Sequence, residues 1–70
     1  MLRQTLESTS LRSAQYDPST QNLDIEFTSG QIYRYLHVPT QIYYGLINAP
    51  SHGEFFNDQI RDHYEHIHIK

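Results

Sequence analysis

The sequence contains no cysteine and no tryptophan, and only three prolines and three glycines. Without cysteine there is no disulfide framework, no thiolate zinc site and no thiol nucleophile. Long apolar runs are missing too: no segment nears the roughly 20 apolar residues that a membrane-spanning helix requires. Met1–Ser10 has neither the basic flank nor the apolar stretch of a secretory signal. The expectation is a soluble, cytoplasmic protein with no membrane partner. Basic residues are scarce as well. Arg3, Arg12, Arg34, Arg61 and Lys70 are the full set, and formal charge is −3 with histidine neutral. Nucleic-acid affinity rests mainly on Lys and Arg facing phosphates, so this balance argues against a strong nonspecific binder.

What is present is aromatic. Seventy residues carry six Tyr and three Phe. A chain of this length makes one domain and buries only about 60% of the surface it exposes when unfolded. With disulfides excluded, aromatic packing must supply the missing stability, since each enclosed ring removes roughly 150–250 Å² from water.

Met1–Ser10 is polar, with Leu6 in a run of Gln, Thr, Ser and Glu, and reads as a flexible lead-in of residues 1–10. Residues 11–70 then form the single domain. Leu11–Tyr16 reads as a short strand ended by Asp17-Pro18-Ser19-Thr20, a turn whose proline presets φ near −65°. In Asn22–Thr28, Leu23, Ile25 and Phe27 alternate with Asp24, Glu26 and Thr28, the period that turns one face to a core. Gly30 suits a short hairpin loop. The return strand, Gln31–Val38, carries Ile32, Leu36 and Val38 with Arg34 on one side, and Tyr33 and Tyr35 with His37 on the other.

Pro39 ends that strand and opens a helix over residues 40–48, where Ile42, Tyr43, Leu46 and Ile47 fall at helical spacing. Gly45 weakens it by about 1 kcal/mol relative to alanine. Pro50 stops it. Ser51-His52-Gly53-Glu54 has the form of a capping box, and Phe56, Ile60 and Tyr64 then define one face of a second helix, from 52 to about 63. The tail alternates again, Ile67 and Ile69 against His66 and His68, as a closing strand. The expected fold class is α+β: an antiparallel three-stranded meander, two short helices and a final edge strand (β-β-β-α-α-β), closing into a small, partly open barrel. Its core should contain Leu23, Ile25, Phe27, Leu36, Val38, Ile42, Leu46, Phe56 and Ile60.

An ordered set of residues along this frame resembles the KTSC domain, a module also found at the C-terminal end of some lysyl-tRNA synthetases. The set is Tyr16-Asp17, Leu23-Asp24-Ile25-Glu26-Phe27, Gly30, Tyr33-Arg34-Tyr35 and Val38-Pro39. It continues with Ala49, Ser51, Gly53, Phe56-Asn57, Ile60-Arg61 and Tyr64, covering about residues 8 to 65. The resemblance implies RNA as a ligand, through the synthetase association, and carries no catalytic residue set. Members often place Lys or additional Arg around the second helix; this chain has Glu54, Asp58 and Asp62 there.

Four groupings bear on function. Tyr33 and Tyr35 share a strand face about 7 Å apart; they are either core residues with hydroxyls at the rim or a platform on which bases stack. Arg34 either pairs with Asp24 or Glu26 across the hairpin or sits with the tyrosines as a fork for phosphate, joined by Arg61. The amides of Ser51, His52 and Gly53 at a helix start suit an anion, although a capping box needs the same residues. His66 and His68 point one way and can hold a metal, but no third ligand stands at fixed spacing, so neither a metal nor a cofactor is expected. No serine stands in a nucleophile context and no glycine-rich phosphate loop exists, so an enzyme is not expected. The reading is a small non-catalytic binding module, with Tyr33, Arg34, Tyr35 and Arg61 as its RNA-binding residues. The alternative is a module that binds another protein chain or itself.

Overall fold

A computed structural model describes the whole chain, Met1–Lys70. Strands β1 (Leu2–Thr5), β2 (Leu11–Asp17), β3 (Asn22–Phe27) and β4 (Ile32–Tyr35) come first, then helices α1 (Thr40–Asn48) and α2 (His52–Gln59), then strand β5 (His66–His68). The strands form one five-stranded sheet in chain order, every neighbour antiparallel. The sheet is open, with β1 and β5 at its edges. The α+β class, the meander, the helix pair and the closing edge strand are as the sequence leads one to expect. One strand is added: Leu2–Thr5, read as lead-in, pairs along β2 from Leu2–Tyr16 to Thr5–Ser13.

Local chemistry explains the turns. Between β2 and β3, the amide and hydroxyl of Ser19 donate to the Asp17 carboxylate at 2.9 and 2.6 Å. These bonds hold the Asp17 carboxyl below its usual value. Between β3 and β4, Gly30 takes φ 95, a conformation few other residues adopt without strain. A bulge in β2 between Leu11 and Ser13 resets the alternation. It turns Leu11 to the core, 1% exposed, and leaves Arg12 outside, 3.5 Å from Glu26.

Register sorts the two sheet faces. Leu2, Tyr16, Leu23, Tyr35 and His66 lie in one row across all five strands, and Ala14, Ile25, Tyr33 and His68 lie in the next row on that same face. Both helices pack on this face, where Tyr43, Leu46, Phe56 and Ile60 complete the core. Tyr16 stacks on Tyr43 with ring centroids 5.0 Å apart. The opposite face carries the row Arg3, Gln15, Asp24, Arg34 and Ile67.

Several expectations need correction. The return strand ends at Tyr35, not Val38, because His37 adopts a left-handed φ of 57 and breaks the ladder. Val38 remains in the core, its amide donating to the Gln21 carbonyl. Helix α2 stops at Gln59; the amides of Ile60 and Arg61 both turn to the Phe56 carbonyl. Tyr64 therefore packs from beyond the helix. Phe27 and Ile42 are half-buried against the core, and Leu36 lies outside it, on the face that no helix covers. Leu6, Leu11, Ala14, Tyr16, Tyr35 and Tyr43 take core places not assigned from the sequence.

Candidate functional site

Helix α2 covers the sheet only in part. Between the C-terminal end of α2 and strands β4 and β5 lies a cleft of about 710 Å³. Its floor is aromatic. Phe56 meets Phe27 and Tyr35 edge-on, with centroids 5.7 and 5.5 Å apart, and Phe27 meets Tyr33 edge-on at 5.7 Å. One wall is β5, whose His66 ring lies 5.6 Å from Tyr33 and 5.2 Å from Tyr35. Outside the cleft, His68 stacks on Tyr33 at 4.6 Å with planes 7° apart. Asn57, Arg61 and Asp62 from α2 and the turn after it form the other wall. Ser10, Thr28, Ser29 and Gln31 close one end with uncharged polar groups.

The two readings of the tyrosine pair divide between its members. Tyr35 is core, 4% exposed, with its remaining surface on the cleft. Tyr33 is half-buried and lies further along the cleft. Burial holds the Tyr35 hydroxyl above its ordinary value of 10.0. The Arg61 charge pulls it down while Tyr33 and Asp62 push it up, so the hydroxyl lies within reach of charges of both signs.

Three of the four residues assigned to RNA from the sequence therefore meet in one place: Tyr33, Tyr35 and Arg61. Arg34 does not join them. It projects from the opposite face, where its Nε and Nη2 donate to Asp24 at 2.9 and 3.1 Å. Ser51, His52 and Gly53 are also elsewhere, at the start of α2. The Ser51 hydroxyl accepts from the Glu54 amide at 3.3 Å, and His52 Nδ1 accepts from the Glu7 amide at 3.0 Å. Gly53 lies so near Ser8 that an added Cβ would stand 3.2 Å from the serine hydroxyl oxygen. This corner is where the segment after β1 docks. His66 and His68 share a face as expected, and no group of three or more metal-ligating side chains gathers around them.

Sequence reading missed His66, Asn57 and Asp62 as partners of the tyrosines. His66 was reachable: the tail's alternation places it on the same face as His68, and antiparallel pairing beside β4 brings it opposite Tyr35. Asn57 and Asp62 left no such signal, because their place depends on where α2 ends.

Comparison with known proteins bears on the whole chain. The KTSC domain model matches residues 7–64. A protein of Stutzerimonas stutzeri (strain A1501) is 44% identical over 70 residues, 99% of each chain. A lysine–tRNA ligase of a Nostoc species is 38% identical over 60 residues, which is 86% of this chain but 11% of the ligase. The crystal structure of a KTSC domain protein from Yersinia pestis matches with a TM-score of 0.93 at 32% identity, covering 99% of this chain and 97% of that one.

Proposed function

Because this chain belongs to the KTSC domain family, we propose that it is a non-catalytic binding module whose cleft receives single-stranded RNA. The observation that carries this reading is the meeting of Tyr33, Tyr35 and Arg61 in one open cleft. Tyr33 and Tyr35 come from β4 and Arg61 from the turn after α2, so the fold brings together two segments far apart in the chain. Unpaired bases are held by stacking on aromatic rings, and their phosphates by nearby cations. The exposed end of the Tyr33–His66–His68 cluster offers rings, and Arg61 offers the cation. Similar sequence within proteins named lysine–tRNA ligases points the same way.

Arg34 is left out of this proposal because Asp24 already occupies its guanidinium on the far face. An enzymatic role is left out because the hydrogen-bonded histidine nitrogens, on His52 and His68, meet backbone groups rather than a hydroxyl to activate. The reading assigns the protein to the cytoplasm, where such RNA is found.

The test is a titration with short single-stranded RNA at low salt, followed in the amide spectrum. Shifts should centre on β4, β5 and Arg61 and fade as salt rises. Tyr33→Ala should weaken binding on the order of 10–100-fold. An unchanged spectrum at near-millimolar RNA overturns the proposal. It would leave the second reading, association with a protein chain, for which β5 provides an open edge with Ile67 and Ile69 48% and 44% exposed. Sedimentation would then report whether the partner is a second copy.

A further inference from the structure

Arg61 is the one lysine or arginine that lines the cleft. Arg12 and Arg34 are held by Glu26 and Asp24, and Arg3 stands in the same cross-strand row as Arg34, on the far face. The surface beyond Arg61 is acidic. The shallow hollow that continues from the cleft, sharing Arg61, Asp62 and His66 with it, is otherwise lined by His63, Tyr64 and Glu65. A strand running past Arg61 would bring its next phosphate against the carboxylates of Asp62 and Glu65. At the opposite end the lining is uncharged, with Ser10, Ser29 and Gln31. A groove that tracks a nucleic-acid backbone needs repeated cations along its length. This one has a cation at a single point.

Resting on the cleft reading above, we propose that the site takes one nucleotide unit rather than a length of strand. One base packs against Tyr33 and His66, and one phosphate pairs with Arg61. The volume agrees, since about 710 Å³ lies within the roughly 300–1,000 Å³ of sites for small ligands. This also reconciles the site with a net charge of −3. Long-range attraction for a polyanion is absent, and affinity comes from one stacked ring and one fork of donors. The module would therefore recognise a strand end, a splayed single base or a free nucleotide, and ignore the remainder of the chain.

The experiment titrates the full chain with adenosine 5′-monophosphate and with oligoadenylates of increasing length. The expected result is that Kd changes by no more than a few-fold with length, after correction for the number of positions available. For the longest oligoadenylate, log affinity should fall against log salt with a slope of about −0.7, one phosphate neutralised. Arg61→Gln should flatten that slope while leaving the base-dependent shifts at Tyr33 visible. Affinity that climbs tenfold with each added nucleotide, or a slope several times steeper, overturns the one-nucleotide site and leaves RNA binding in place. No shift with any of these probes overturns both.

Discussion

The Tyr16 hydroxyl donates to the backbone carbonyl of Val38, joining β2 to the segment that leads into α1. Both residues are 0% exposed, so that carbonyl has no water to turn to. The Tyr16 ring stacks on Tyr43, and its oxygen also lies 3.3 Å from the Thr40 hydroxyl. One side chain thus fixes the angle at which the helical half enters.

Tyr16→Phe keeps the ring and removes the bond. A buried carbonyl left unsatisfied costs roughly 1–3 kcal/mol. A chain of this size has only about 3.5–10 kcal/mol of stability in total, at roughly 0.05–0.15 kcal/mol per residue. Urea denaturation should show the loss as a lower midpoint with an unchanged slope. A midpoint equal to that of the parent protein would mean Thr40 replaces the bond.

Gly45 has a packing role in the structure. An alanine Cβ there would stand 2.7 Å from Cζ of Phe55, on the facing helix. By helix propensity alone Gly45→Ala gains about 1 kcal/mol; overpacking costs typically 1–3 kcal/mol. The net change should be destabilising, and combining it with Phe55→Leu should restore part of the loss. A more stable Gly45→Ala protein would show that Phe55 moves aside freely.

Tyr35 predicts an alkaline limb to stability. Burial raises its native value above 10.0, and burial does the same for Tyr43. The folded state keeps a proton that the unfolded chain gives up. The contribution is therefore whole below about pH 10 and is lost as pH rises through the raised native value. Denaturation midpoints should fall from that pH upward, and Tyr35→Phe should make the fall shallower. The same fall in the variant would assign the effect to other groups.

The Arg34–Asp24 pair serves the far face alone. Its side chains are 37% and 22% exposed, so a double-mutant cycle should return a coupling of only about 0.2–1 kcal/mol, shrinking with added salt. Arg34→Ala should leave RNA titrations unchanged where Arg61→Ala weakens them. Equal loss in both would mean the ligand wraps both faces of the sheet.

Where a pattern repeats along the chain, sequence reading located the element. Alternation in Leu23, Ile25 and Phe27 placed β3 and its buried face, and Ser51 capped α2 where the Ser-x-x-Glu spacing put it. Strand β1 gave no pattern to read: Leu2 is the one apolar residue among Leu2–Thr5, and the strand forms because β2 offers a free row of backbone groups. Tyr16 was hidden for another reason. A tyrosine suits core or rim equally, and only a partner for its hydroxyl, here a carbonyl 22 residues away, settles the matter. The cleft was half legible. Strand alternation grouped Tyr33 with Tyr35 and set Arg34 apart, but Arg61 reaches the cleft only because α2 ends at Gln59.

Strand β5 is three residues long, and every one of them is exposed, yet it supplies a wall of the cleft. Its ladder to β4 closes a chain segment that includes both helices, so it is among the contacts whose entropy cost is highest and whose burial is least. Fraying of this last strand would dismantle one wall of the cleft while the remainder of the domain stays folded. Occupancy would then be felt first as slowed deuterium uptake at the Leu36 and Ile69 amides, which bond across that seam. The shape of the cleft thus depends on how firmly the outermost strand is held shut.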